Sequence, residues 1–155
     1  MAAEQGGIYT SHLREEGLGL IDEYLRSDGN GREFLKIEAG GSLMPASEET
    51  VREKKHFVFQ DGKSVFKFAV VGMADVSEEI LDRNDLKGTD VDMFVAHQAN
   101  LRIIESTQKR LGLPNEKVAV TIDKYANTTA ATIPTCFSEV VDEGKLKKGD
   151  LVLVA

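Results

Sequence analysis

Apolar residues recur at steps of three and four positions over residues 63–84. The positions that follow these steps are Val65, Phe66, Ala69, Val70, Met73, Val76, Ile80 and Leu81. This spacing is the period of an amphipathic helix, so it predicts a helix that ends near Asn84. A second helix is predicted over residues 100–111, where Gly112 supplies a stop signal.

Short apolar runs alternate with helical segments in the second half of the chain. They predict three strands, at residues 91–96, 118–122 and 151–155. A third helix is predicted over residues 129–142, closed by Gly144. A chain that alternates strand, helix, strand, helix and strand is typical of parallel pairing through right-handed crossovers. The pattern therefore predicts an α/β domain.

The first third of the chain is less regular. Two short strands are predicted at residues 20–25 and 33–38, separated by a turn signal rich in Gly, Asp and Asn. Residues 1–18 contain several glycines and no clear period, so we treat them as an N-terminal segment of uncertain structure. The domain is predicted to cover residues 19–155.

Composition and charge exclude several classes of function. The formal net charge of −7 argues against non-specific binding to nucleic acid, since phosphates attract clustered Lys and Arg. The longest apolar stretch, residues 68–74, is far shorter than the ~20 residues that cross a bilayer. The single Cys fits a reducing cytoplasm, and the three histidines have no metal-ligand spacing. We expect a cytoplasmic protein that binds neither nucleic acid nor membrane and contains no metal site.

Two polar residues follow predicted strands. His97 comes directly after the strand that ends at Ala96, and Asn127 lies five residues beyond Ile122. Parallel sheets bind ligands outside the carboxyl ends of their strands. An imidazole and a carboxamide placed there can both donate hydrogen bonds to one developing oxyanion. The alternative is that His97 caps the next helix and Asn127 makes a turn, and spacing leaves both interpretations open.

Four segments carry a family resemblance, in the same order as in the family. They read GKSVFKFAV at 62–70, HQANLRII at 97–104, NTTAATIP at 127–134 and KGDLVL at 148–153. They resemble the G-x-x-V-F-K-x-A-V, HQANxRI, NTSAAS(I/V)P and K-x-G-D segments of beta-ketoacyl-[acyl-carrier-protein] synthase III. The likeness covers roughly residues 19–155. It implies the C-terminal half of a thiolase-like fold, with a mixed, mostly parallel sheet and helices packed on it.

The resemblance also implies an activity. The family begins fatty-acid synthesis by condensing an acyl-CoA, commonly acetyl-CoA, with malonyl-[acyl-carrier-protein], and uses no cofactor. A Cys in the first half of the fold accepts the acyl group as a thioester. By motif, His97 and Asn127 would hold the malonyl thioester oxygen and stabilise its enolate. Arg102 would contact the acyl carrier protein or the phosphates of coenzyme A, and Asn100 and Ala99 would lie near the pantetheine arm.

The chain departs from the family pattern in its thiol. Cys136 falls inside the predicted third helix, whereas the family nucleophile occupies a tight strand-to-helix turn in the first half. We therefore expect Cys136 to be a buried structural residue. The Cys-bearing half and the family's last strand have no counterpart in residues 1–155, so we expect the chain to be inactive alone. The complete enzyme is expected to be a homodimer.

Charge on the second helix offers weak support for a carrier-protein partner. Arg102, Lys109 and Arg110 stand at positions i, i+7 and i+8, near one helix face. Such a stripe can steer an acidic partner, or it can be an ordinary solvated surface.

Two other functions remain open. One is a non-catalytic module that binds coenzyme A or carrier protein, or that pairs with another subunit. The other is a condensing enzyme with a different primer, such as a branched-chain, alkylquinolone or polyketide starter.

Overall fold

The computed structural model of the chain describes residues 18–155. Its strands are β1 (Leu35–Ile37), β2 (Val58–Gln60), β3 (Met93–Val95), β4 (Val118–Ala119) and β5 (Val152–Val154). Its α-helices are α1 (Glu48–Arg52), α2 (Gly62–Arg83), α3 (Leu101–Leu111), α4 (Ile122–Tyr125) and α5 (Thr132–Asp142). Short 3-10 turns lie at Gly29–Glu33, Gly88–Asp90, Asn115–Lys117 and Thr129–Ala131. Among these residues, no helix combines the length and the apolar character needed to cross a membrane.

The main sheet is parallel and has β3 at its centre. The strand order is β4-β3-β5, and Phe94 and Val95 pair with residues of both neighbouring strands. This confirms the predicted α/β architecture and its parallel pairing. The antiparallel pair β1-β2, whose strands are joined through α1, forms a separate sheet, so the antiparallel pairing of the fold lies outside the main sheet.

Helices cover both faces of the main sheet. Successive side chains of β3 point to opposite faces, so each face has apolar side chains for a helix to cover. Phe94 lies in one apolar cluster, with side chains of α2 and α3. Met93 and Val95 lie in a second cluster, with Cys136 and Val140 of α5. All three residues of β3 are buried, which is why the sequence shows a continuous apolar run there instead of alternation.

The two long helices have the ends that the sequence predicts. Asp61 accepts hydrogen bonds from the backbone at the start of α2, and Asn84 caps its other end. Asn100 accepts from the backbone N–H of Arg102 at the start of α3. Gly112 follows α3 with a φ of +68°, the left-handed conformation that glycine adopts most easily.

Several sequence predictions were wrong in extent or kind. Residues 20–25 form no strand; Asp22 instead accepts hydrogen bonds from Arg83 and Asn84 at the end of α2. The strand predicted at 118–122 ends at Ala119, because Ile122 already begins α4. The third helix begins at Thr132, after a 3-10 turn. Helix α1 and the pairing of β1 with β2 were missed, and residues 1–17, with most of the uncertain segment, lie outside the described residues.

Candidate active site

Two loops meet at the carboxyl ends of the adjacent strands β3 and β4. His97 stands two residues beyond the end of β3, and its backbone N–H donates to the carbonyl of Ala155 at 2.6 Å, just past β5. Asn127 stands in the loop that leaves β4, two residues after α4. Both residues therefore occupy the edge of the sheet where parallel α/β proteins place ligands.

A buried threonine orients the imidazole of His97. The Nδ1 of His97 lies 2.6 Å from the Oγ1 of Thr132, which is only 2% exposed. The same Oγ1 lies 3.0 Å from the carbonyl oxygen of Thr129. The hydroxyl has one proton, which it can donate either to the Thr129 carbonyl or to Nδ1. Which of the two receives the proton sets the tautomer of His97. When Thr132 donates to Nδ1, the neutral ring carries its proton on Nε2.

The partial burial of His97 decides its charge. Desolvation lowers the pKa of His97 below its usual value of 6.5, because burial disfavours the charged imidazolium. The neutral ring is therefore the main form at neutral pH. A neutral imidazole can still donate one hydrogen bond from whichever nitrogen carries the proton.

Asn127 is exposed, and its side chain already takes part in a local turn. Its Oδ1 accepts from the backbone N–H of Thr129 at 2.9 Å. This fits the turn interpretation for the oxygen, and it orients the carboxamide so that Nδ2 is the group that can donate to a ligand. The capping interpretation of His97 was wrong, because Asn100 caps α3.

The loop that carries Asn127 is anchored to α5 by charge. Glu139 accepts from the Nζ of Lys124 and from the hydroxyl of Tyr125. The hydrogen bond from Lys124, followed by that from Tyr125, lowers the pKa of Glu139. Between this anchor and Asn127, Ala126 has a φ of +57° and a ψ of −163°, a region that glycine occupies almost alone.

The three residues predicted to bind carrier protein or coenzyme A lie at the start of α3. Arg102 is exposed on the first turn, and the backbone N–H of Ala99 donates to the carbonyl of His97. The side-chain oxygen of Asn100 is used to cap the helix. Arg110, at the other end of α3, pairs with Asp75 and Glu78 of α2. The predicted basic stripe is therefore reduced to Arg102 and Lys109.

Cys136 is fully buried beneath the sheet, as predicted. Burial raises the pKa of its thiol and so disfavours the nucleophilic thiolate. Within residues 18–155, no three His, Cys, Asp or Glu side chains gather as a metal-binding group.

Sequence reasoning missed two residues that shape this site, Gln98 and Thr132. Both are buried, and both contact the loops that carry His97 and Asn127. The only signal in the sequence was their position inside the HQAN and NTTAAT segments. Hydrogen-bond partners that lie 21 to 35 residues apart cannot be read from local spacing.

Known proteins are similar to this chain in sequence. Residues 81–155 match the family model described as 3-oxoacyl-[acyl-carrier-protein (ACP)] synthase III C terminal. A beta-ketoacyl-[acyl-carrier-protein] synthase III of Chlorobaculum tepidum is 53% identical over 152 residues, which cover 97% of this chain and 46% of the relative. The chain thus spans about half the length of the curated relatives it matches.

Solved structures agree with the sequence matches. A beta-ketoacyl-[acyl-carrier-protein] synthase III from Thermus thermophilus superposes with a TM-score of 0.69 and 37% identity, covering 83% of this chain and 39% of the other. The priming beta-ketosynthase of a polyketide biosynthetic pathway superposes with a TM-score of 0.67 and 30% identity, covering 82% and 37% of the two chains.

Proposed function

Because the chain belongs to the beta-ketoacyl-[acyl-carrier-protein] synthase III family, we propose that it is the C-terminal part of a condensing acyltransferase. The complete enzyme would join an acyl-CoA, commonly acetyl-CoA, to malonyl-[acyl-carrier-protein] and so begin fatty-acid synthesis. One observation carries the proposal. The loops that bear His97 and Asn127 leave the adjacent parallel strands β3 and β4 at the same edge of the sheet.

In the proposed reaction, this chain stabilises the enolate of the malonyl thioester. The bond to the carboxylate breaks, CO₂ leaves, and the electron pair moves through the α-carbon onto the thioester oxygen. The Nε2–H of His97 and the Nδ2–H of Asn127 donate to that oxygen. Loss of one such donor reduces turnover by roughly 10²- to 10³-fold in enzymes with oxyanion holes. The enolate carbon then attacks the acyl thioester, and the cysteine thiolate of the first half leaves.

Burial of His97 supports the donor role. Because desolvation lowers the pKa of His97, the ring is neutral before the enolate forms and, unlike an imidazolium, has little tendency to transfer its proton to the enolate. The proposed role requires the Thr132 hydroxyl to donate to Nδ1 instead of to the Thr129 carbonyl, which keeps the ring proton on Nε2. The direction of the hydrogen bond to Thr132 therefore decides whether His97 can donate from Nε2.

The proposal names partners as well as chemistry. The acyl-accepting Cys belongs to the first half of the complete enzyme, since Cys136 is buried with a raised pKa. Arg102 would contact the acidic carrier protein or the phosphates of coenzyme A, with Asn100 and Ala99 beside the pantetheine arm. We further propose a cytoplasmic homodimer that uses acyl-CoA and malonyl-[acyl-carrier-protein] as substrates and no resident cofactor.

The test separates the two half-reactions in the complete enzyme. Intact mass after incubation with acetyl-CoA reports acetylation of the cysteine, and release of CO₂ from malonyl-[acyl-carrier-protein] reports decarboxylation. His97→Ala and Asn127→Ala should each reduce decarboxylation by roughly 10²-fold or more and largely spare acetylation. His56→Ala is the control, because the ring of His56 bonds the hydroxyl of Thr50 in α1. Equal loss of both half-reactions would contradict the assigned roles.

The same experiment distinguishes the alternatives. The similarity to a priming beta-ketosynthase of a polyketide pathway favours a different primer as the second candidate. Acetylation much slower than acylation by a branched or longer acyl-CoA would support that candidate. Binding of malonyl-[acyl-carrier-protein] without acylation or decarboxylation would support a non-catalytic module instead.

A further inference from the structure

Gln98 is a fully buried carboxamide placed between the two loops of the candidate site. Its exposed fraction is 0%, although its predecessor His97 is only partly buried. A carboxamide without partners in such a position is strongly destabilising. The side chain therefore lies where its four hydrogen-bonding positions are all satisfied, and those partners come from two separate parts of the chain.

The partners of Gln98 determine how its carboxamide is oriented. The Oε1 accepts from the backbone N–H groups of Thr121 at 2.9 Å and Ile122 at 3.2 Å. The Nε2 donates to the backbone carbonyls of Ala96 at 2.8 Å and Ala119 at 3.3 Å. Two N–H groups can only donate and two carbonyls can only accept, so the reverse orientation would leave all four unpaired.

These four hydrogen bonds extend the sheet beyond its own ladder. Strands β3 and β4 share only two residue pairs, ending at Val95 and Ala119. The carbonyl of Ala96, one residue beyond the last pair, is connected through the Gln98 side chain to the backbone that leads into α4. The side chain thus replaces the next step of backbone pairing at the point where the strands separate.

We propose that Gln98 is a positioning residue that sets the separation between His97 and Asn127. Its backbone is joined directly to His97, and its side chain holds the first residues of the loop that ends in Asn127. Two donors must reach one oxyanion for the proposed chemistry, and a misplacement of about 1 Å can reduce rates by roughly 10²-fold. This inference rests on the proposed function and adds a residue to it.

The decisive variant is Gln98→Met in the complete synthase. Methionine has similar length and retains the packing, but it cannot form the four hydrogen bonds. Decarboxylation of malonyl-[acyl-carrier-protein] should decrease by roughly 10- to 100-fold, while acetylation of the cysteine by acetyl-CoA is largely retained. A ratio of the two rates equal to that of the wild type would overturn the inference.

Gln108→Met is the matched control. Gln108 lies near the other end of α3, where its Nε2 donates to the carbonyl of Leu113 and to Asn115. The same chemical change there should lower stability without altering the ratio of decarboxylation to acetylation. An equal change of the ratio in both glutamine variants would show that Gln98 acts only through general stability.

A second variant covers the case in which Gln98→Met does not fold. In Gln98→Glu the side chain can still accept from Thr121 and Ile122, but a charged carboxylate would face two carbonyl oxygens. Protonation restores one donor, so the decarboxylation rate relative to wild type should rise as pH falls. A relative rate that is flat with pH would also overturn the inference. If the wild-type synthase itself performs neither half-reaction, the proposed function fails, and the inference fails with it.

Discussion

At the scale of single residues, the buried polar groups of the site have no hydrogen-bond donors to spare. Thr132 has one hydroxyl proton for His97 and Thr129, and Gln98 has no spare donor or acceptor. His97 is neutral because its pKa is lowered by burial. The tautomer of His97 and the orientation of the Gln98 carboxamide therefore depend on Thr132 and on Ala119, which lie 35 and 21 residues away in the sequence.

We predict that Thr132→Val impairs decarboxylation in the complete enzyme by about 10-fold. The change removes the hydrogen bonds of the hydroxyl to His97 and to the Thr129 carbonyl, each worth ~1 kcal/mol, and no group then controls the tautomer of His97. Thr132→Ser retains the hydroxyl and should preserve most of the rate. The measurement is CO₂ release from malonyl-[acyl-carrier-protein], normalised to acetylation of the cysteine. Equal rates for the valine and serine variants would rule out a role for the hydroxyl.

At the scale of elements, the loop between α4 and α5 combines a firm anchor with a strained residue. Glu139 of α5 holds Lys124 and Tyr125 of α4. Immediately afterwards, Ala126 adopts a backbone conformation that is unfavourable for any residue with a side chain. Strain next to Asn127 persists because hydrogen bonds on both sides of it hold the loop in place.

We predict that Ala126→Gly stabilises the protein. Relief of the strain is worth about 1–3 kcal/mol, and the greater freedom of glycine in the unfolded chain opposes it by roughly 0.5–1 kcal/mol. The free energy of unfolding in urea should rise by about 1 kcal/mol. Ala131→Gly is the control, because Ala131 is exposed with an ordinary φ of −79°. That variant should lose stability. A similar loss in Ala126→Gly would contradict the claim that the backbone of Ala126 is strained.

At the scale of the whole molecule, the antiparallel pair β1-β2 presents apolar side chains to solvent. Leu35, Ile37 and Val58 are each more than half exposed, and the pairing of Ile37 with Val58 places them on one face. The curated relatives are about twice as long as this chain. We expect another part of the complete protein to cover this face.

Residues 1–155 studied alone should therefore bind an apolar dye such as ANS. Ile37→Thr combined with Val58→Thr should reduce the dye fluorescence, since threonine retains the β-branch and removes apolar surface. Val120→Thr, at an exposed position beyond β4, is the control and should have little effect. Equal reduction by the control would show that the dye does not bind to the exposed face of the β1-β2 pair.

The sequence alone determined those features that depend on local pattern. The helices α2 and α3, the end of α3 at Gly112 and the parallel pairing of three strands follow from apolar period, from the glycine and from alternation of elements. The motifs also indicated the family and offered His97 and Asn127 as candidate site residues. These features were readable because each depends on residues a few positions apart.

Only the tertiary structure decided which groups share hydrogen bonds. Residues 20–25 look like a strand, yet they lie against the end of α2, because a strand needs a partner that the local pattern cannot supply. Gln98 looks like an ordinary polar residue at the start of a helix, yet it is buried between β3 and β4. A polar side chain is buried where distant backbone groups can satisfy it, and those groups meet only after the chain has folded.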